Sequence, residues 1–496
     1  MRPPGPLTSL PILGDLPLIG LGKAVGLGPP PHVRMTELAN TYGDVMSLGL
    51  GDERWVVLSS PEAVHEAFVT RGMDFSGRPM VPSMKVSSGG GKGFAKPTLT
   101  PELKVLRQTA RSKLFGAAQV ARSQASLEHE AVLLAEDLIS ASSRDGSVEL
   151  RPALRSAVTN MVLRYTFGAS ASEDAVMSEL VEVVNEIWSL LTSTSTTALD
   201  LIARDSPGAS ALSSLAYGRL PTLVARRDEI LSELIQQRRP NTDTEDAPMV
   251  DMLMASGLPS EDIHYTLVDM FVAGVNTVTT ALEWTLLLTA TEPLVQERAR
   301  MDAHRHARHT ARAAASGLAA AKVPPSTYVD AVLCEVLRFK SPLLLPRTCV
   351  RDSTIGGYDV SAGTTVLANN HALTSSPQWW RAPHLFMPER FLDEESSLGL
   401  AGGGGVDGCK FIPFSTGQRM CPGSRLAIAE MQTAARALLR TTRWRRADSP
   451  VDLSEEYSLT LLPAASQRLR FERVAPPTRR APMGNKNSYG GAKCEK

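Results

Sequence analysis

Cysteine is scarce in this 496-residue chain, and its five copies, Cys334, Cys349, Cys409, Cys421 and Cys494, follow no regular spacing. An odd, irregular set argues against a disulfide framework and for a reducing compartment. No pair has the close spacing of a structural zinc site, and Cys409 reads as an incidental loop thiol. Excess charge is missing too. Lys+Arg and Asp+Glu both number 52, so nothing points to nucleic acid or acidic partners. No segment holds the roughly 18 consecutive apolar residues that a membrane span needs. The opening residues, Met1 to Gly14, do not form a signal peptide. Nicotinamide, flavin and iron–sulfur motifs are absent, and no internal repeat occurs.

What is present is a hydrophobic content of 43% with 21% charged residues, the composition of a soluble globular protein with a sizeable core. Two short strands are expected at 46–50 and 55–59, and then a helix capped by Ser60 that runs to about residue 71. Residues 80–98 are rich in Gly, Ser, Lys and Met without periodicity, and read as a mobile surface loop. From 101 to 320 the pattern is mostly helical, with breaks near 145–148, 206–208 and 238–248. His304, His306 and His309 could gather a metal, but a solvated helix face is the commoner outcome for such a run. Strand-like runs return over 346–370. The glycines of 402–405 read as a flexible insertion. The pattern predicts a mainly α fold with a small β portion, one large domain over 31–474. A proline-rich lead over 1–30 precedes it, and residues 475–496 form a disordered tail.

The densest signal is Phe411-Ile-Pro-Phe-Ser-Thr-Gly-Gln-Arg-Met-Cys421-Pro-Gly-Ser-Arg425. Pro422 suits the first turn of a helix, where its missing N–H would have had no partner. Ile428, Met431, Ala435 and Leu438 are then spaced for one buried helix face. Cys421 is therefore expected at a helix N-terminus, where free N–H groups favour negative charge on sulfur. Gly417 and Gly423 can take backbone angles closed to other residues. Arg419 can pair with a carboxylate, and Phe414 can pack beside the sulfur and keep water off it.

This loop resembles the haem-binding loop of the cytochrome P-450 superfamily at every defining position. The resemblance implies a single large P-450-like domain with haem b, its iron held axially by Cys421 and a propionate by Arg419. Gly417 and Gly423 would let the chain approach the flat ring. Glu335-Val-Leu-Arg338 and Pro388-Glu-Arg390-Phe391 match the family's structural triad of Glu335, Arg338 and Arg390. Ala273-Gly274-Val-Asn276-Thr277 resembles the oxygen-binding stretch of its long central helix. The family usually carries Asp or Glu before the threonine. Asn276 hydrogen-bonds but does not titrate, so proton delivery would fall to Thr277 and water. Arg107 and Arg347 stand where the family offers further propionate contacts, although Leu103 replaces the usual tryptophan.

The implied reaction inserts one oxygen atom from dioxygen into a lipophilic organic substrate. The implied pocket draws on 80–98, 187–220, Ala273 to Thr277, Leu343 to Leu345 and Leu459 to Leu462. Electrons would come from a separate redox partner, a flavoprotein reductase using NADPH. The proline-rich lead and Phe75-Ser-Gly-Arg-Pro79 resemble microsomal members, which implies association with the endoplasmic reticulum membrane at its cytoplasmic face. Two other readings stay open: a haem-thiolate isomerase or dehydratase acting on peroxides without outside electrons, and a non-catalytic haem-binding member.

Overall fold

The computed structural model describes residues 1–6, 15, 29–50, 53–193, 196, 200, 217–239, 247–315, 327–342, 345–392, 400, 405–447, 449–457 and 460–475. Helices dominate. The central one runs from Ser260 to Thr291. Its regular parts, Ser260–Asp269 and Val275–Thr291, flank a wider π-turn at Met270–Gly274. Its second half is buried on almost every side, as a helix at the middle of a large core must be. Buried threonines are tolerated there because their hydroxyls donate to the carbonyl four residues back: Thr279 to Val275, Thr280 to Asn276 and Thr285 to Ala281, at 2.7–2.8 Å. Its most apolar stretch is 78% buried by the rest of the protein, so length and apolarity here mark a core helix.

Around it pack the helices Leu150–Phe167, Tyr328–Phe339 and Ser424–Thr441, and Gln124–Asp145 packs in turn on the first and last of these. One apolar core joins residues from Ala110 to Phe471 through all of them. Tyr328–Phe339 starts with a capping box between Thr327 and Asp330, which satisfies two N–H groups reciprocally. The break expected near 145–148 is real: Gly146 ends its helix in the left-handed conformation, φ 74°.

The β portion is small. A four-stranded sheet orders Val45–Leu50, Glu53–Leu58, Thr365–Ala368 and Arg347–Thr348. The first pair is an antiparallel hairpin in which Val45 faces Leu58, and Trp55 pairs in parallel with Thr365. Val148–Glu149, Arg468–Arg473 and Thr442–Arg446 form a second sheet. Two hairpins, Ser353–Ile355 with Tyr358–Val360 and Glu455–Tyr457 with Leu461–Pro463, complete it.

Three local expectations change. Residues 80–98 are not a surface loop. They hold the helix Pro82–Ser87 and the turn Gly93–Ala95, with Ser83, Ser87 and Ser88 buried. Long-range hydrogen bonds give this segment its order, and local periodicity carries no trace of them. Cys409 is 2% exposed in a second core cluster, so it is a packing residue. The helix after Cys421 begins at Ser424, so Pro422 precedes its first turn. His304, His306 and His309 lie on Pro293–Ala315, and no metal-ligating cluster occurs among the described residues. The break at 206–208, most of 238–248 and of the glycine run, and the tail from 476 lie outside the described residues.

Candidate active site: a thiol hollow rimmed by guanidinium groups

Cys421 ends a tight loop between the short turn Gly417–Arg419 and the helix Ser424–Thr441. Its backbone N–H donates to the carbonyl of Phe414 at 2.9 Å, which folds the loop back on itself. Gly417 makes that fold possible. Its φ is +65°, and a Cβ there would stand 1.8 Å from the carbonyl oxygen of Phe68. The glycine is therefore demanded by the neighbouring helix backbone rather than by a ring. Gly423 departs from expectation in another way. Its φ of −86° is open to any residue, and nothing lies within 4 Å of a Cβ built there. Its contribution is its N–H, which bonds the sulfur and favours the thiolate.

The sulfur is deep in the protein and still part-exposed, so it lines a hollow. Burial pushes its pKa up, while the Gly423 N–H, Arg107 and Arg78 act in the opposite direction. The central helix carries an opening of its own. Ala273 and Thr277, four residues apart on one face, are exposed on an otherwise buried helix, and Gly274 beside them is half-buried. Thr277 Oγ donates to the Ala273 carbonyl at 2.8 Å. Asn276 is buried, and its Oδ1 has no hydrogen-bond partner. Phe414 is half-buried against the main core.

Four arginines converge on this hollow. Arg347 is fully buried, lies 3.9 Å over the ring of Phe68, and donates from Nη2 to Ser415 Oγ at 3.1 Å and to the Thr416 carbonyl. Its Nε and Nη1 have no partner. Arg419 braces the loop through the carbonyls of Ser76 at 2.7 Å and Lys96 at 2.9 Å, and its Nη1 has no partner. Arg107, from the helix Pro101–Thr109, donates to the Met420 carbonyl. Arg78 holds the carbonyls of Leu345 and Pro346 at 2.8 and 3.0 Å.

None of the four forms an ion pair among the described residues. Burial lowers all four, Arg78 to about 10 and Arg419 to about 9; repulsion among them adds to this for Arg78, Arg347 and Arg419, and Arg111 adds to it for Arg107. Buried cations without counter-charges, together with orphaned N–H groups, need a ligand bearing carboxylates. Haem, with two propionates beside a metal that takes one thiolate, fits this set.

The triad residues meet. Arg338 forks both oxygens of Glu335 at 2.7 Å, Arg390 stands 2.9 Å from Oε2, and Glu335 is fully buried. Two residues escaped the sequence reading. Arg78 stands in the stretch from Phe75 to Pro79, where no local signal marks it as a partner of this hollow. Asp269 interrupts the apolar run of the central helix, and that charge in an apolar stretch was the available signal. Its Oδ2 accepts the Phe94 N–H at 2.7 Å, and burial raises its carboxyl to about 7. Leu343, Leu344 and Leu459 fall outside the described residues.

Known proteins resemble this chain over most of its length. A family model described as Cytochrome P450 matches residues 3–470. Cytochrome P450 83A1 of Arabidopsis thaliana is 27% identical over 95% of this chain and 92% of its own length. Steroid 17-alpha-hydroxylase/17,20 lyase of Ictalurus punctatus is 28% identical over 87% and 83%, and dolabradiene monooxygenase of Zea mays is 29% identical over 89% and 86%. A solved zebra fish cytochrome P450 with progesterone superposes with a TM-score of 0.72 at 27% identity, covering 90% of this chain and all of that one.

Proposed function

The chain belongs to the cytochrome P450 family, and on that premise we propose that this haem-thiolate monooxygenase inserts one oxygen atom into a lipophilic substrate, using electrons from a separate flavoprotein reductase that oxidises NADPH. The activities named for its relatives, monooxygenase and hydroxylase, side with oxygen insertion among the three readings of the sequence. The single observation that carries the proposal is the deep, part-exposed Cys421 set among four guanidinium groups that lack counter-charges.

Bound there, haem b supplies the activation of dioxygen, and its thiolate ligand favours O–O cleavage. The remaining work falls to the chain. Arg347 and Arg419, with their unpartnered N–H groups, and Arg78 and Arg107 beside them hold the propionates. The N–H of Gly423 steadies charge on sulfur, and Phe414 shields it from water. Ala273 and Gly274 leave room for the ring and for dioxygen. Thr277 Oγ, on the exposed face, holds a proton for transfer. Asn276 has no acid to give, so protons reach Thr277 through water. The apolar character of the distal segments and the progesterone bound by the solved zebra fish relative support a lipophilic substrate. The resemblance of the lead and of Phe75 to Pro79 to microsomal members supports a place at the cytoplasmic face of the endoplasmic reticulum membrane.

The test is a reduced, carbon monoxide difference spectrum of the haem-loaded protein. The wild type is expected to give the red-shifted thiolate-type band, and Cys421→Ser to lose it. The same band in the mutant would overturn the assignment of the ligand.

A further inference from the structure

A cavity of about 300 Å³ lies away from the thiol hollow, between the helix Pro31–Tyr42, the end of Tyr328–Phe339, the helix Asn370–Ser375 and the Glu455–Tyr457 hairpin. Its lining shares neither Cys421, Ala273, Thr277 nor any of the four converging arginines. The walls alternate apolar groups, chiefly Met35, Phe339 and Leu367, with polar ones. Asn370, 5% exposed, supplies the specific feature. Its amide nitrogen donates to Ser341 Oγ and to the Pro342 carbonyl. A carbonyl only accepts, so the orientation of this amide is settled, and Oδ1 is the atom left without a partner. An orphaned buried acceptor in a space of this size calls for a ligand that donates.

The charges nearby are already matched. Lys340 pairs with Glu455 at 2.9 Å and Arg338 with Glu335 at 2.7 Å. His371 is held down to about 4 by burial and by its neighbour His32, so the surroundings disfavour added positive charge. We propose that this cavity is a second small-molecule site, which takes a neutral, compact apolar molecule carrying one N–H or O–H donor, such as a small aromatic amide, with that donor on Asn370 Oδ1. The site connects to the central helix. Glu455 and Leu461 border the cavity, and the Leu461 carbonyl accepts from Trp284 Nε1 at 2.8 Å. Occupancy therefore bears on the hairpin that packs against the helix of Thr277, and any effect on affinity is reciprocal.

The experiment uses the full haem-loaded chain with its iron blocked by a coordinating azole, which keeps probes out of the first site. Benzamide is titrated by calorimetry, with toluene as the apolar control. Benzamide is expected to bind one to one, and toluene at least about tenfold more weakly because it leaves Oδ1 unpaired. Met35→Trp and Leu367→Phe fill the space and are expected to abolish binding while the azole-bound spectrum stays unchanged. In the wild type, benzamide is expected to slow amide exchange over 370–375. That readout needs no variant. The absence of benzamide binding to the blocked protein, binding that survives both fillings, or unchanged exchange over 370–375 overturns the proposal.

Discussion

Gly417 shows how a single position is decided by two constraints at once. Its left-handed backbone costs any other residue about 1–2 kcal/mol, and the Phe68 carbonyl occupies the place of its Cβ. Gly417→Ala is expected to cost about 2–4 kcal/mol in a urea melt and to weaken haem retention. An unchanged midpoint would show that the loop relaxes freely. Glu430 is a residue whose importance comes wholly from its surroundings. It lies on the helix Ser424–Thr441, is 1% exposed, and its Oε1 has no partner. Burial raises its carboxyl from 4.5 to about 8. The fold thus keeps a proton that the unfolded chain releases near 4.5. Its contribution to stability is fully present below pH 4.5 and is lost as pH rises to about 8. Glu430→Gln removes this dependence and is expected to stabilise the protein by about 1–3 kcal/mol at pH 8, with the gap closing at pH 4.5. Parallel melting curves for the two proteins across that window would contradict it.

At the scale of elements, local signals and tertiary ones divide cleanly. The helix Ser424–Thr441 is legible because the apolar spacing of Ile428, Met431, Ala435 and Leu438 lies within one short stretch. Residues 80–98 are not legible, because what orders them comes from elsewhere in the chain. Fully buried Arg227, on the helix Leu220–Gln236, donates to the Ser87 carbonyl at 2.9 Å and to Asp228 at 2.7 and 2.8 Å. Asp200 accepts the Ser83 N–H at 3.0 Å, Lys92 pairs with Glu261 at 2.7 Å, and Asp269 holds Phe94. Arg227→Ala removes the most buried of these ties. Amide exchange over 82–95 is expected to quicken by the equivalent of about 1–3 kcal/mol while the core helices keep their protection. Uniform loss of protection would mean that the segment opens only with the whole fold.

For the whole molecule, the Glu335 network is the buried joint. It ties the helix Tyr328–Phe339 to the turn Pro388–Phe391, and through Arg338 to the Thr374 carbonyl at 2.8 Å. Glu335→Ala leaves two buried guanidinium groups without a counter-charge and is expected to cost about 3–5 kcal/mol. The exposed pair of Arg226 with Glu179 offers the comparison, where Glu179→Ala is expected to leave the denaturation midpoint almost unchanged. Equal costs in chemical denaturation would refute a special role for the buried network. The spacing of Glu335, Arg338 and Arg390, the loop ending at Cys421 and the small residues from Ala273 to Thr277 are properties of sequence. Together with the resemblance they carry, they were enough to indicate the mainly α fold, and the helical period was enough to set Glu335 and Arg338 on one face. Packing alone decided which arginines lack counter-charges, that Arg78 joins them, that Gly423 contributes an N–H to the sulfur, and that Asn370 faces an open space. Burial, orphaned donors and long-range partners are relations between distant parts of the chain, and they come into being only when those parts meet.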